Sequence, residues 1–357
     1  MAILFSALIL LGIGLVMVFS ASAVKSMVLY GDRFYYLKRQ LAWAAISIAA
    51  MLFAMNFDYR HLKRLAPLIL LGGLGLLVVV LIPGIGRVAH GARRWIGVGS
   101  LGVQPSEVMK LAFVIFLAAS MSAKGKKMRA FTTGVIPYVA LCGVVFALIL
   151  KQPDLGTAVA IASTAGIMLF AAGVRISHLL LLAISAVPVL YWAVTSEEYR
   201  LRRFLAFLDP WSDLQDTGYH IVQSLYALGS GGPFGVGLGW SRQKFFYLPE
   251  QHTDFIFAIL GEEFGFLGTS TLILLFFFFA WRGYRVALNA PDAFGSLLAC
   301  GITTMIALQA VINIAVVTAT IPITGIPLPF LSSGGSSLLF TMTGVGILLN
   351  ISRYTTE

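Results

Sequence analysis

Long apolar runs separated by short polar segments make up most of this chain. Runs long enough to cross a bilayer, about 20 residues each, recur ten times. They lie near residues 2–24, 41–56, 67–83, 106–123, 131–149, 157–173, 177–193, 255–280, 294–317 and 337–351. The pattern predicts an all-α fold, a polytopic transmembrane helical bundle of about ten spans, in a single membrane domain over residues 1–357.

One long polar segment, about residues 194–254, interrupts this pattern and is expected to form a large extracellular loop. Within it, Ile221, Leu225 and Leu228 recur with helical spacing, which predicts a helix lying along the membrane interface. The glycines that follow, at positions 229, 231, 232, 235, 237 and 239, permit a tight, irregular path. This run matches no nucleotide-binding fingerprint.

The end of this segment, residues 244–263, carries acids into the eighth span. Because Pro249 cannot sit inside a helix, we expect the helix to begin after it, with Thr253 or a neighbour as N-cap and Asp254 in the first turn. Such an Asp is most often only a helix-start device. In a continuous helix Asp254 would lie about 15 Å above Phe264, near headgroup height. With Glu262 and Glu263 close behind, the acids indicate a polar chamber at the membrane surface.

Composition and charge support a membrane protein and set its orientation. Hydrophobic residues make up 59% of the chain and charged residues 11%. The net charge of +10 is scattered through loops, without the single basic face that nucleic-acid binding needs. Basic residues are denser on the side of the termini, so we place both termini in the cytoplasm and the large loop outside. Cys142 and Cys300 fall within predicted spans and imply neither a disulfide nor a metal framework.

Other polar groups gather at the predicted outer surface. Ser106 is expected to cap the fourth span, and Glu107 and Lys110 share one helical face. They form either a structural pair or, beside Arg94, an anion site. Lys151 and Asp154 either join that site or pair with each other.

The start of the tenth span is a further candidate. It would begin at residues 334–337, Gly-Gly-Ser-Ser, whose free N–H groups could face a phosphate. An ordinary serine cap is the alternative.

Taken together, these motifs resemble the SEDS family (shape, elongation, division and sporulation), whose FtsW, SpoVE and RodA branches polymerise peptidoglycan glycan strands. The resemblance covers essentially the whole chain. Its marks are Gly91-Ala-Arg-Arg-Trp-Ile96, Gln104-Pro-Ser-Glu107 with Lys110, Lys151-Gln-Pro-Asp-Leu-Gly156, Gly218-Tyr with Gln223-Ser224, Leu248-Pro-Glu-Gln-His-Thr-Asp-Phe-Ile-Phe257 and Leu331-Ser-Ser-Gly-Gly-Ser-Ser337. Residues 235–247 are more similar to the FtsW and SpoVE branch. Ser333 departs from the Tyr usual before Gly-Gly in this family.

The resemblance implies an inverting glycosyltransferase that joins lipid II units and releases undecaprenyl pyrophosphate. Asp254 matches the Asp assigned as general base. The implied substrate-binding set is Arg94, Glu107, Lys110, Lys151, Asp154, Arg242, Lys244, Glu250, His252, Thr253, Ser332 and Ser336. A divalent cation, Mg²⁺ or Mn²⁺, could share the diphosphate. The family implies a bacterial inner (plasma) membrane location with the active site on the outer face.

A partner is also expected from the resemblance. A class B penicillin-binding protein, a transpeptidase, would crosslink the new strand. The small residues Gly295, Ala299 and Gly301 of the ninth span could let a partner helix approach closely.

Two other functions fit parts of the pattern. Ten spans around a polar chamber would also suit a lipid II flippase, but the charges gather at the outer surface and the spans show no continuous polar track. A scaffold that only recruits synthases would not need an acid at Asp254.

Overall fold

The computed structural model describes residues 1–89, 92–98, 101–212, 214 and 218–355, with the backbone alone described at positions 88, 89, 92, 98 and 101. Twelve helices lie in the described part of the chain. They are α1 Ala2–Tyr30, α2 Tyr35–Asn56, α3 Tyr59–Val79, α4 Pro105–Lys124, α5 Ile136–Leu150, α6 Leu155–Ala171, α7 Ile176–Thr195, α8 Glu198–Leu208, α9 Tyr219–Gly231, α10 Ile256–Leu288, α11 Ala293–Val317 and α12 Gly335–Ser352.

The ten predicted spans are each found as a helix. In the described ranges, nine helical segments are long and apolar enough to cross a membrane, and α6 is a shorter apolar helix. A π-helical turn, Phe131–Val135, precedes α5 and completes the fifth span. The sequence located these helices because every apolar run must satisfy its backbone hydrogen bonds internally.

A small antiparallel sheet between α3 and α4 corrects the purely all-α expectation. Its strands, in the order β1-β2-β3, are Arg87–Ala89, Ala92–Val98 and Leu101–Val103. Ile96 pairs with Val103 and Gly97 with Gly102. Residue 91, which opens the predicted motif Gly91–Ile96, lies outside the described residues. Short strands with aromatic and β-branched residues between glycines are a hairpin pattern, which a search for long apolar runs does not detect.

The helix α11 lies at the centre of the bundle, packed against α4, α6, α10 and α12. The expected partner surface on this helix is therefore wrong. A Cβ atom at Gly295 would lie 3.1 Å from the Tyr59 ring, and one at Gly301 would lie 2.6 Å from Val114. The small residues allow neighbouring helices of the same chain to pack closely against α11, so no partner protein is needed to explain them.

The helix α10 is kinked at Gly265, so the continuous helix assumed for the height of Asp254 is not found. Gly265 has φ 66° and ψ −162°, and this non-helical backbone interrupts α10 two residues after Glu263. Residues 232–237 run against this interruption, where Val236 N donates to Glu262 O and Gly237 N donates to Glu263 O. A Cβ atom at Gly265 would lie 2.3 Å from Gly235 N, so only glycine fits.

The predicted large loop contains two helices, α8 and α9. The helix at the Ile221 spacing is confirmed as α9, which packs on α10. Ile221, Val222 and Ala227 are buried on this contact face. The apolar stripe therefore covers the start of the eighth span, and its membrane-surface position stays a prediction.

Candidate functional site

Asp254 lies in a tight turn that precedes α10. The helix begins at Ile256, its N-cap is Phe255, and its first turn holds no acid. Thr253 and its immediate neighbours are therefore not the N-cap, and the expected first-turn position of Asp254 is wrong. The Thr253 hydroxyl instead donates to the backbone oxygen of Glu250 at 3.1 Å and to its carboxylate at 2.8 Å. Asp254 therefore does not serve as the helix-start device that its place in the sequence suggested.

Three contacts from other elements hold the backbone of this turn. The Asn313 side chain, on α11, donates to Asp254 O at 2.7 Å and to Ile326 O at 2.8 Å. The Ser332 hydroxyl donates to Thr253 O at 2.6 Å. Ser333 N donates to His252 O at 2.9 Å. The segment before α12 and the central helix thus fix the turn from outside, which suits a residue that must be placed accurately.

The Asp254 carboxyl group accepts no hydrogen bond from the residues that the structure describes, and it is partly exposed. It faces Gly325, where a Cβ atom would lie 3.5 Å from Oδ2. Burial raises the pKa of Asp254 to about 7, and the nearby carboxylates of Glu250 and Asp154 act in the same direction. Arg94 and Arg203 oppose them. A carboxyl group with a pKa near neutrality is suited to general-base work.

Arg94 lies beside this carboxyl group and is bound to the turn between α5 and α6. Its Nε donates to Gln152 O at 2.9 Å, and its Nη2 donates to Pro153 O. Arg203, on α8, lies over the Tyr199 ring at 5.8 Å. Burial lowers the pKa of Arg203, against a smaller opposite effect of Tyr199. The two guanidinium groups form a cationic cluster next to the candidate base.

Lys151 and Asp154 have separate roles in this region. Asp154 caps α6, where its carboxylate accepts from Thr157 N at 3.2 Å, and it also accepts from the Gln104 amide at 3.3 Å. Lys151 is exposed and, among the described residues, forms no ion pair with Asp154. Of the two alternatives, the Lys151–Asp154 pair is therefore wrong, and Lys151 is left available to an anion.

Lys110 and Glu107 form a buried ion pair inside the bundle. Their charged atoms lie 2.8 Å apart, and the two side chains are 6% and 4% exposed. Lys110 also donates to the Gln309 amide oxygen at 2.6 Å, and Gln309 in turn donates to Pro327 O at 2.9 Å. The structure thus favours the structural pair over a surface anion site.

Ser106 does not cap α4: the N-cap is Gln104, Pro105 follows it, and the Ser106 hydroxyl has no partner in the described structure.

Lys244 is buried in a second ion pair, away from solvent. Its amine lies 3.0 Å from a Glu263 carboxylate oxygen, which also accepts from the Ser20 hydroxyl at 2.6 Å. The neighbouring Glu262 carboxylate accepts from Arg242 N at 2.8 Å. Glu262 and Glu263 therefore fix the 232–244 segment instead of lining a wet chamber. The Arg242 side chain is exposed.

The remaining predicted site residues surround the turn. His252 is buried with its Nδ1 unpaired among the described residues, and its ring lies 4.5 Å from that of Tyr36. Glu250 has φ 51° and touches the turn through Thr253. The Ser336 hydroxyl accepts from Gln104 N at 3.4 Å. The N-cap of α12 is Gly334 without a side-chain cap, so the serine-cap alternative is wrong.

A resident cation does not fit the described side chains. They include no group of three or more His, Cys, Asp or Glu residues that could hold a metal ion. A Mg²⁺ or Mn²⁺ ion would have to take most of its ligands from the diphosphate of a substrate and from water. The expected cation stays a prediction, and no chemical step below depends on it.

Two polar residues of α11, Gln309 and Asn313, were missed at the sequence level. They lie one turn apart in an otherwise apolar span and are 3% and 1% exposed. An amide inside a span is expensive unless it is hydrogen-bonded, and this rule was the signal that could have found them. Arg203 gave no such signal, because its charge lies among other arginines in a polar segment.

Comparisons with known proteins identify the family of this chain. A family model described as "Cell cycle protein" and named for FtsW, RodA and SpoVE matches residues 1–357. Stage V sporulation protein E of Bacillus subtilis is 51% identical over 97% of this chain and 95% of its own length. A probable peptidoglycan glycosyltransferase FtsW of Geobacter sulfurreducens is 47% identical over 99% of this chain and 94% of its own length.

Solved structures of similar proteins have the same fold. A chain from work on the structural coordination of polymerization and crosslinking by a peptidoglycan synthase complex has a TM-score of 0.80 at 28% identity, over 98% of this chain and 96% of that one. The rod shape determining protein RodA of Thermus thermophilus has a TM-score of 0.73 at 27% identity, over 99% and 97%. With its whole length matched by the family model, the chain belongs to the FtsW, RodA and SpoVE family of cell cycle proteins.

Proposed function

We propose that this protein is a peptidoglycan glycosyltransferase that polymerises lipid II, with Asp254 as its general base. The observation that carries the proposal is the Asp254 carboxyl group, which has a pKa of about 7 and accepts no hydrogen bond from a described residue. Curated relatives carry the name of this activity. The family and the site chemistry therefore point to one reaction.

In this reaction the 4-hydroxyl of one lipid-linked sugar attacks the anomeric carbon of another. The new C–O bond forms as the bond to the diphosphate breaks, and undecaprenyl pyrophosphate leaves with the bonding electrons. Asp254 accepts the hydroxyl proton. Arg94 and Arg203, with Lys151 at the surface, stabilise the charge that develops on the leaving group. Inversion follows because the nucleophile enters opposite to the leaving group.

The test is polymerisation of purified lipid II by the Asp254→Asn variant. We expect activity to fall by at least about 10²-fold, since Asn keeps the size of the side chain but cannot accept the proton. For the wild-type enzyme, the rate should rise with pH through about 7, because the base works only when it is deprotonated.

The matched control is Asp292→Asn, at a cap of α11 remote from the turn. It should polymerise lipid II at a rate close to that of the wild type. Near-normal polymerisation by Asp254→Asn would refute the assignment. Lipid II transport without polymerisation by the wild type would favour the flippase instead.

We also propose a class B penicillin-binding protein as partner. The solved relative with a TM-score of 0.80 comes from a peptidoglycan synthase complex. A glycan polymerase needs a separate acyl-transfer enzyme to crosslink its product, and the described chain carries no domain for that chemistry. Co-purification of the two proteins, with a higher polymerisation rate when the partner is added, is the expected result. Full activity of this chain alone and no stable complex in nanodiscs would count against it.

A further inference from the structure

The hairpin between α1 and α2 carries basic residues that the reaction described above does not use. Lys25 lies four residues after Ala21, whose backbone oxygen accepts from the Gln251 amide at 2.8 Å. Arg39 lies three residues after Tyr36, whose ring contacts that of His252. Residues three or four apart share a helical face. Both cations are thus on the faces of α1 and α2 that adjoin the 250–255 turn.

In the part of the chain that the structure describes, the two cations of this basic pair are not engaged in ion pairs, although the Glu250 carboxylate lies close enough to act on His252. Within the described residues neither Lys25 nor Arg39 forms an ion pair, whereas Lys38, on the same hairpin, is paired with Asp32 at 2.8 Å. His252 is 5% exposed and its Nδ1 has no partner in the described structure. Burial lowers the pKa of His252 to about 4, Lys25 and Arg39 act in the same direction, and the Glu250 carboxylate opposes them. The ring is therefore neutral at pH 7, and a ring nitrogen without a partner can still bond to a ligand.

This basic pair is distinct from the Arg94 cluster. Arg94 is bound to the turn between α5 and α6, and with Arg203 it lowers the pKa of Asp254. Lys25 and Arg39 act on His252, two residues earlier in the same turn. Two separate cationic groups therefore adjoin one short turn that carries the base.

The proposed reaction has a requirement that matches this arrangement. A polymerase must hold two lipid-linked chains at once, one that supplies the attacking hydroxyl and one that supplies the leaving group. While the acceptor is still a single lipid II molecule, each substrate carries a diphosphate. A diphosphate is a strong anion that is held best by paired cations and N–H donors.

We propose that Lys25 and Arg39, with the His252 ring, form a second diphosphate-binding site, for the substrate that the Arg94 cluster does not hold. This inference rests on the proposed function and goes beyond it by assigning two anion sites to different elements. The expected ligand is the diphosphate of a polyprenyl lipid, because its larger negative charge suits two cations better than the single phosphate of a bulk phospholipid does.

The experiment counts bound ligands by native mass spectrometry of the full chain, released from nanodiscs in the Asp254→Asn background to prevent turnover. The probe is undecaprenyl pyrophosphate. We expect two molecules bound to the parent, one bound to the Lys25→Gln/Arg39→Gln variant, and one bound to the Arg94→Gln variant. The charge-conserving Lys25→Arg/Arg39→Lys variant should bind two molecules of undecaprenyl pyrophosphate. That result would show that substitution at these positions does not itself unfold the protein.

Arg33→Gln is the matched control, because Arg33 is an exposed cation on the same hairpin that lies over the Phe34 ring. It should bind two molecules. Two molecules bound to the Lys25→Gln/Arg39→Gln variant would overturn the inference, as would an equal loss with Arg33→Gln. Displacement of one ligand by excess phosphatidylglycerol would also overturn it, by assigning the site to bulk lipid.

The failure of this inference can be told apart from failure of the proposed function. A parent protein that binds one molecule, and loses it only in Arg94→Gln, still fits a polymerase but not the second site. A parent that binds none contradicts both. For the polymerising wild type, the Lys25→Gln/Arg39→Gln change should raise the KM for lipid II at least about tenfold, as expected for loss of a charge-assisted hydrogen bond.

Discussion

At the scale of single residues, the setting of the base matters as much as its identity. The resemblance picks out Asp254, but its raised pKa depends on burial and on two other carboxylates. Asp154 comes from a distant part of the sequence, and Glu250 comes from a turn with positive φ. Asn313 and Ser332 hold the turn through backbone oxygens. Contacts to backbone oxygens depend on the fold and leave no motif, so the sequence could not reveal them.

Asn313 is predicted to be a positioning residue for the base. Its amide joins the Asp254 turn to Ile326. We expect Asn313→Ala to lower kcat by about 10²-fold with little change in KM, because a small misplacement of a catalytic group is costly. It should also lower the free energy of unfolding by about 1–3 kcal/mol, since a buried acceptor loses its donor.

The control for this prediction is Asn350→Ala. Asn350 is also buried, and it bonds to two backbone groups, Met55 O and Tyr59 N, at the other end of the bundle. A similar loss of stability with kcat within about twofold of the wild type is expected. An equal fall of kcat in both variants would mean that Asn313 acts only through the fold. Asn313→Gln, which keeps the amide, should recover part of kcat and show the same dependence of rate on pH as the wild type.

At the scale of elements, the sequence predicted helices well and their ends poorly. Each of the ten apolar runs is a helix in the described residues, nine of them long enough to cross a membrane, because lipid leaves an isolated segment no other backbone structure. The caps at Ser106 and Thr253 were wrong, since Pro105 and the tight turn at Glu250 set the helix starts. The break at Gly265 could not be predicted from α10 alone, because it depends on residues 232–237, which pack against it.

The element-scale prediction concerns the Lys110–Glu107 ion pair of α4, which a hydrogen bond from Lys110 joins to Gln309 of α11. Lys110→Met should lower both stability and turnover, because it leaves the Glu107 charge buried without a partner, at a cost of about 3–5 kcal/mol. Lys110→Met/Glu107→Gln should recover much of the stability. Thermal unfolding in detergent, measured beside the polymerisation assay, checks both.

Lys151→Gln is the comparison, since Lys151 is exposed. It should lower turnover with little change in the midpoint of thermal unfolding, as expected for a screened surface charge. A Lys110→Met protein as stable as the wild type but inactive would return Lys110 to the diphosphate site.

At the scale of the whole molecule, the small residues of α11 were wrongly expected to face a partner protein, because the sequence alone does not show which spans lie inside the bundle. Gly295 and Gly301 pack against Tyr59 and Val114 of the same chain. The helix α7, by contrast, buries only Ala193 and presents an apolar surface. A hydropathy pattern treats these two spans alike, whereas three-dimensional packing separates the central helix from the peripheral one.

Orientation in the membrane gives the last prediction. The candidate base and Lys151 lie beside one end of the spans, while the 3₁₀ segment Gly125–Arg129 carries three cations between α4 and α5 at the other. Short basic loops stay in the cytoplasm, so Lys151 should face outward and Lys126 inward. Both side chains are exposed. In a Cys142→Ser/Cys300→Ser background, a membrane-impermeant maleimide added to intact spheroplasts should label Lys151→Cys at once and Lys126→Cys only after permeabilisation. Labelling in the opposite order would place the site in the cytoplasm, away from the outer face where we expect the glycan strand to form.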